Sequence, residues 1–205
     1  MIPKLLSDGN LEEVLSMSSI ETQLQYIQII ARYKYAEVFQ HLRNVIETLA
    51  QKYKECIPIL QSCQNSLLPD AVSLELSVVE GQLSFLIHVI GSCLAGQSSS
   101  TTASSREEQL SIDAQLVSYS IDIVQCLDAR LKASTNTNPP LMWMDIAVME
   151  LFQQIRRSHI GYDGYSRGIR VIDSDYEPEI FKKISEIRGT TFSQSDSLTF
   201  MVDKM

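Results

Sequence analysis

The segment from Glu80 to Gly96 decides the fold, and it reads EGQLSFLIHVIGSCLAG. A helix needs about 20 mostly apolar residues to cross a bilayer. The apolar run is shorter than that, and Ser84, His88 and Gly91 interrupt it, which is costly in contact with lipid. Because the run is apolar on most of its circumference, neighbouring elements must cover it on several sides. The sequence therefore predicts a buried helix inside a larger assembly, with no membrane insertion.

The composition is that of an ordinary folded domain with an acidic surface. The chain has 205 residues, of which 44% are hydrophobic and 20% charged, and its formal net charge is −8. That size and composition allow one domain with a sizeable core. The charge excludes nucleic-acid binding through a broad basic surface, which needs clustered Lys and Arg. The amino-terminal MIPKLLSDGNLEE lacks the features of a secretory signal, so we expect a soluble, unexported chain.

The spacing of apolar residues is helical along most of the chain. Six amphipathic segments follow one another, and the first is predicted to begin at Ser19 as its N-cap, with a break near Lys34 before the second. Polar or glycine-rich stretches separate the later segments. We expect a mobile loop at 97–109, a loop at ASTNTNPP and an irregular connection at 161–176, within which IRVI could pair as a short strand.

Each helical segment carries a stripe that we expect to be buried. The members of these stripes are Ile20, Leu24, Ile27, Ile30 and Tyr33; Val38, Phe39, Leu42, Val45, Ile46, Leu49 and Tyr53; Leu76, Val79, Leu83, Phe85, Leu86, Ile87, Val89 and Ile90; Leu116, Val117, Ile121, Val124, Leu127 and Leu131; Met142, Ile146, Met149, Phe152 and Ile155; and Phe181, Ile184 and Ile187. Asp113, Asp122 and Asp128 lie away from their stripe. Close helix packing is the expected reason for Gly81 and Gly91, and Pro58 and Pro69 are expected to bound a loop or short turn.

The predicted fold class is all-α, with antiparallel helix pairs stacked as a HEAT-repeat-like (armadillo/HEAT-like) α-solenoid segment over residues 1–205. Short connections make consecutive helices antiparallel neighbours, and each pair buries its apolar face against the next. A six-helix globular bundle is the alternative. The tail favours the solenoid, because Phe200, Met201 and Val202 begin an apolar pattern with no partner in this chain.

No combination of residues in the sequence indicates catalysis, a metal or a cofactor, so no site residues are assigned. His41, His88 and His159 are in no metal-binding spacing, and His88 stands five residues from Cys93, a poor helical step for a catalytic pair. The cysteines form no CxxC pair, which fits a reducing compartment, and Cys63, Cys93 and Cys126 are expected to be packed free thiols.

Two small polar clusters are the remaining candidates for binding. Asp173, Asp175, Glu177 and Glu179 lack the EF-hand order of ligands and are interpreted as a solvated helix start. Arg156 and Arg157, beside His159 and near Tyr162 and Tyr165, form a basic and aromatic patch. This patch is either solvated or a minor contact for a partner.

Four segments in order carry a resemblance to a known family. They are EGQLSFLIHVIGSCLAG, DAQLVSYSIDIVQCLDARL, MDIAVMELFQQIRRSHIG and EIFKKISEIRG, preceded by IIARYKYAEVFQHLRNVIETLAQKY. This run, from Ile27 to Gly189, resembles the central portion of an exportin of the importin-β (karyopherin) superfamily, of the exportin-7 or Ran-binding protein 16/17 type. The polar insert at 97–109 and the connection at 161–176 are longer than the family pattern.

The resemblance implies a non-enzymatic nuclear transport receptor that shuttles between nucleus and cytoplasm. The implied partners are protein cargo, the GTPase Ran and nuclear pore proteins, the last two through the complete receptor. No Ran-contact motif maps onto this chain residue by residue. The alternatives are a stand-alone helical-repeat adaptor, whose acidic charge would select a basic partner, a truncated or non-functional exportin fragment, and an α-helical enzyme around His88 and Cys93.

Overall fold

The computed structural model describes residues 17–63, 69–95, 103–133, 142–160 and 179–191. These residues form six α-helices and a five-residue π-helical turn, Arg156–Ile160. The helices are α1 (Met17–Tyr33), α2 (Tyr35–Ser62), α3 (Asp70–Ala95), α4 (Ala103–Ala133), α5 (Met142–Ile155) and α6 (Glu179–Arg188). The described part of the chain contains no strand, and the all-α prediction is confirmed.

The helices form two layers, and the main contacts within each layer join alternate helices. In one layer α1 packs on α3 and α3 packs on α5, and in the other α2 packs on α4 and α4 packs on α6. The layers meet mainly where α2 packs on α3. Contact between every second helix is the pattern of a stacked α-solenoid, in which each repeat touches its neighbours. This arrangement confirms the solenoid prediction over the globular bundle.

Side-chain contacts fix the direction of the helices. At one end of the helix axes, Arg32 at the end of α1 contacts Cys93 at the end of α3, and Tyr35 at the start of α2 contacts Asp113 of α4. Towards the opposite end of the helix axes, Glu80 of α3 contacts both Tyr53 of α2 and Arg130 of α4. Helices within a layer therefore run parallel, and α2 and α3, in different layers, run antiparallel.

Side-chain contacts also give the direction of the last two described helices. The Ser84 hydroxyl of α3 donates to the carbonyl of Trp143 at the start of α5, and His88 pairs with Glu150 one to two turns further along both helices. In the other layer Lys183 pairs with Glu107, and Arg188 with Asp122. Thus α5 runs parallel to α3, and α6 runs parallel to α4.

Helix α3 lies at the centre of the stack, with α1 and α5 on its two sides and α2 from the other layer. Its 26 residues make it the one helix among those described that is long and apolar enough to cross a membrane. The prediction that the segment is too short to span is therefore wrong. A core helix of a folded domain has the same composition. In α3 most of the apolar 18-residue stretch is buried inside the structure, as the sequence predicts for a covered helix.

Several predicted boundaries are wrong. Helix α1 begins at Met17, so Ser19 lies inside it and is not its cap. Helix α2 continues through Pro58 to Ser62, because Leu60 is buried and continues its apolar face. Helix α4 begins at Ala103, so the second half of the expected loop 97–109 is helical, and Glu107 there pairs with Lys183 of α6.

Some predicted buried faces are wrong as well. Ile30, Tyr33 and Val45 are exposed, and so are Leu131, Met149 and Ile187. In α5 the buried face includes Met144, Val148 and Leu151, so the helix is rotated relative to the predicted stripe. The strand IRVI, the loop ASTNTNPP, the connection 161–176 and the apolar tail lie outside the described residues and stay predictions.

The two glycines of α3 differ in their surroundings. A Cβ added at Gly91 would lie 3.9 Å from Leu151 of α5, an ordinary contact distance, whereas a Cβ added at Gly81 would meet nothing within 4 Å. Close packing therefore does not explain Gly81, and that prediction is wrong. Because glycine lowers helix stability relative to alanine, we expect Gly81→Ala to raise the free energy of unfolding by about 0.5–1 kcal/mol. Urea denaturation followed by circular dichroism measures the change, and a loss of stability would contradict it.

Candidate functional site: a two-layer helical scaffold tied by buried ionic clusters

Charged side chains that are buried between the layers are the most unusual feature of the described residues. The first group, here called the Asp113 cluster, contains Arg32, Tyr35, Asp113 and His159. The Arg32 guanidinium donates to the Cys93 and Leu94 carbonyls at 3.0 and 3.3 Å, and it pairs with the Asp113 carboxylate at 3.1 Å. Arg32 thus satisfies carbonyls at the carboxyl end of α3, where a helix lacks internal donors and a cation is favoured.

The Asp113 carboxylate also receives partners from other elements. The Tyr35 hydroxyl of α2 donates a hydrogen bond to it, and His159 Nε2 in the π-helical turn lies 3.8 Å away. The Arg32 guanidinium lies 4.2 Å from the centroid of the Tyr35 ring, which adds a cation–π contact. Asp113 was predicted to lie away from the buried stripe, and that prediction is wrong. The cluster joins α1, α2, α3, α4 and the π-helical turn.

The second group, the Glu80 cluster, contains Tyr53, Glu80 and Arg130 and lies nearer the other end of the stack. Arg130 Nε donates to Glu80 Oε1 at 3.0 Å, and the Tyr53 hydroxyl donates to the same oxygen at 3.2 Å. All three residues are buried. A buried charge is tolerated only when it is paired and hydrogen-bonded, so this cluster fixes how α2, α3 and α4 fit together.

The pKa shifts in these clusters follow from burial. Burial raises the pKa of Asp113 to about 6, although the Arg32 charge and the Tyr35 hydrogen bond act in the opposite direction. Burial beside a carboxylate also raises the pKa of the Tyr35 and Tyr53 hydroxyls. Both tyrosines therefore stay neutral donors, which is the form that these clusters need.

The raised pKa of Asp113 predicts a pH dependence of stability. Its ordinary value of 3.8 applies in the unfolded chain, so folding takes up a proton between about pH 4 and pH 6. The contribution of protonated Asp113 to the free energy of unfolding is present at pH 4 and is lost as the pH rises through 6. Between about pH 7.5 and pH 5 we expect a gain of about 1 kcal/mol, reduced in Asp113→Asn. Denaturant titrations at both pH values measure the change, and equal pH profiles for the two proteins would contradict the prediction.

The candidate catalytic pair is not brought together. His88 Nδ1 lies 3.0 Å from Glu150 Oε2 on α5, whereas Cys93 lies beside Arg32 of α1 on another side of α3. Burial raises the pKa of the Cys93 thiol to about 11, so the reactive thiolate is disfavoured. The pairing with Glu150 and the disfavoured thiolate favour a structural role for His88 over the enzyme alternative.

The other candidates divide between exposed and packed positions. Arg156 and Arg157 are exposed in the π-helical turn, while His159 points to Asp113 and so leaves the predicted basic patch.

Cys93 is a packed free thiol as predicted, and Cys63 and Cys126 are free but only partly buried. Within the described ranges no group of three His, Cys, Asp or Glu side chains is placed to hold a metal ion. Tyr162, Tyr165, Asp173, Asp175 and Glu177 lie outside those ranges.

Sequence reasoning missed the buried charges at Arg32, Glu80, Asp113 and Arg130. Their partners come from distant parts of the chain, so no local spacing reveals them. The two layers and the clusters between them define the chain as a helical-repeat scaffold of the α-solenoid class.

Comparison with known proteins then gives the family. A sequence profile described as Exportin-7-like, TPR domain matches residues 3–205, so the chain belongs to this family. Tetratricopeptide and HEAT repeats are both stacked helix pairs, which agrees with the two-layer arrangement. The family match also confirms the resemblance noted in the sequence.

Individual relatives agree with the family but are much longer. The chain is 29% identical over 157 residues to exportin-7-A of Xenopus laevis, covering 77% of this chain and 13% of that protein. It is 24% identical over 194 residues to Ran-binding protein 16 of Drosophila melanogaster, covering 94% of this chain and 15% of that protein. The chain thus spans about one seventh of the length of these relatives. No solved structure matches the chain at a significant level.

Proposed function

We propose that the chain acts as a segment of a nuclear transport receptor, contributing helical surface to the Ran-dependent carriage of protein cargo. The observation that carries this proposal is the family match over residues 3–205, with relatives named exportin-7 and Ran-binding protein. The two-layer stack supports it, because stacked repeats offer extended surfaces suited to binding other proteins.

The same membership supports the partners that we propose. The cargo is a protein, and Ran and nuclear pore proteins engage the complete receptor. The protein shuttles between cytoplasm and nucleus. A binding role also agrees with the properties of the described side chains. The buried charged groups pair with one another between helices. The raised pKa of the Cys93 thiol disfavours this residue as a nucleophile.

The proposal can be tested in a receptor of known type. The chain replaces the matched 157 residues of Xenopus laevis exportin-7-A, and a second receptor lacks those residues. We expect the chimera to recover the capture of Ran loaded with GTP, and the export of protein from the nucleus, that the deletion loses. Ran loaded with GDP is the control and should be captured poorly.

Two outcomes would contradict the proposal. A chimera that behaves like the deletion would show that this chain cannot supply the receptor segment. A deletion that loses neither Ran capture nor export would show that the segment contributes to neither. Capture of partners that is independent of nucleotide would instead favour the stand-alone adaptor.

A further inference from the structure

The Asp113 carboxylate is enclosed by side chains from four elements besides its own helix. Arg32 from α1 and Tyr35 from α2 bind it, His159 from the π-helical turn approaches it, and the Cys93 thiol at the end of α3 lies near it. Among the described residues, these are the titratable and charged groups that face Asp113. Only 8% of the Asp113 side chain is exposed, so these groups largely exclude water from the carboxylate.

The groups around the carboxylate are held with unequal strength. The Arg32 guanidinium is fixed by two carbonyls at the end of α3 as well as by Asp113. The Tyr35 ring packs in the core, and its hydroxyl donates to Asp113. His159 Nε2 lies 3.8 Å from Asp113, which is beyond hydrogen-bond distance. The π-helical turn is therefore the element that is bound least tightly to the carboxylate.

The π-helical turn also has an alternative backbone arrangement close at hand. It continues directly from Ile155 at the end of α5 and has five residues. A π-helix pairs each residue with the fifth along, is rare, and is often found at functional sites. If residues 156–160 paired as an α-helix instead, His159 would rotate about the helix axis away from its present direction. The side chains of residues 156–158 are exposed and do not oppose this change.

The charge on Asp113 decides how much its burial costs. An ionised carboxylate loses its hydration when it is buried, and Arg32 supplies a compensating cation. Burial outweighs this compensation and raises the pKa of Asp113 to about 6. When opening of the π-helical turn admits water, the pKa returns towards its ordinary value of 3.8. The closed form therefore binds the proton more tightly, so protonation favours closing and ionisation favours opening.

We propose that the Asp113 cluster is a pH-sensitive latch, which keeps the π-helical turn closed on α4 when Asp113 is protonated and lets the turn open as the pH rises. The opening is local. It admits water to Asp113 and displaces the exposed Arg156 and Arg157, while the helices stay packed. The surface that the turn presents to solvent thus depends on pH. This inference is independent of the proposed transport function, because it rests on contacts inside the stack.

Hydrogen exchange of the complete 205-residue chain tests the latch. After correction for intrinsic exchange rates, the protection of the amide hydrogens of residues 156–160 reports how often the turn opens. A change of the Asp113 pKa from about 6 to 3.8 on opening makes opening about tenfold more favourable at pH 7.5 than at pH 5. We expect protection to fall by that factor in the parent chain, and by less than about twofold in Asp113→Asn. Equal protection at the two pH values in the parent chain would overturn the proposal.

Low concentrations of urea distinguish local opening from unfolding of the whole domain. Local opening exposes little surface, so the protection of residues 156–160 should hardly change with urea, whereas that of Ile87 in the buried face of α3 should fall. Equal urea dependence at the two places would mean that the turn opens only with the whole domain, which also overturns the latch.

A second variant keeps the test decisive if Asp113→Asn does not fold. The Tyr35 hydrogen bond lowers the pKa of Asp113, so Tyr35→Phe should move the midpoint of the pH transition above that of the parent chain. Tyr119→Phe is the matched control, because it removes a hydroxyl that contacts Glu47, and should leave the midpoint unchanged. A midpoint that is unmoved or lower in Tyr35→Phe would contradict the role of Asp113.

Replacement of His159 identifies the group that binds the proton. His159→Gln removes the titratable ring, and we expect the fall in protection between pH 5 and pH 7.5 to remain, since Asp113 is still present. Loss of the pH dependence in this variant would assign the proton to His159 and overturn Asp113 as the sensor.

Discussion

Replacing Arg130 by alanine is expected to destabilise the fold by about 3–5 kcal/mol. Arg130 is fully buried, and its Nε donates to Glu80 Oε1 at 3.0 Å. Removal of the guanidinium takes away the cation that pairs with the buried Glu80 carboxylate, and the Tyr53 hydroxyl that also donates to this carboxylate is neutral. Since a domain is stable by only about 5–15 kcal/mol, much of the protein should unfold at low denaturant.

Two further variants distinguish the cost of leaving a charge buried without its partner from the cost of losing an ion pair as such. Lys132→Ala removes an exposed pair with Asp128 on the same helix and should cost less than about 0.5 kcal/mol. Glu80→Met together with Arg130→Met removes both buried charges and should be more stable than Arg130→Ala alone. Urea denaturation measures all three variants. A double variant no more stable than the single one would contradict this account of the Glu80 cluster.

Phe181→Ala is expected to cost about 3–5 kcal/mol and to release α6 from α4. A helix of ten residues is too short to be stable alone in water, so α6 depends on its buried contacts. Phe181 is 1% exposed, and truncation leaves a cavity between the two helices. Ile187 on the same helix is 45% exposed, so Ile187→Ala is the matched control and should cost under 1 kcal/mol.

The release of α6 can also be measured by hydrogen exchange, independently of the free energy of unfolding. Amide hydrogens of α6 should exchange much faster in Phe181→Ala than in Ile187→Ala, while those of α2 and α3 change little. Uniformly faster exchange in every helix would show instead that the whole domain loosens. Unchanged exchange in α6 would contradict its dependence on Phe181.

The helical spacing of apolar residues was enough to predict the helices and the stacked all-α fold. It failed to predict which face of α1 or α5 is buried, because Ile30, Tyr33 and Met149 are apolar residues whose exposure depends on which neighbours are present. A helix in the middle of the stack, such as α3, is covered on several sides, so an error in its predicted face has little consequence.

The buried charges were beyond sequence reasoning for a different reason. Arg32 and Asp113 are 81 residues apart, and Glu80 and Arg130 are 50 residues apart. In a helical pattern each of them looks like a member of a solvated face. Only the packing of the two layers against each other brings the members of each pair together, and no local motif encodes that packing.

The parallel run of helices within each layer is the central structural claim about the two-layer stack, and distances between spin labels test it directly. Labels at the exposed positions Gln51 of α2 and Gln125 of α4 should be close, since Glu47 contacts Tyr119 and Glu80 links Tyr53 to Arg130. Moving the first label to Gln40, eleven residues back along α2, should lengthen the distance by up to about 16 Å. Equal distances for the two pairs, or a shorter one from Gln40, would contradict the two-layer stack.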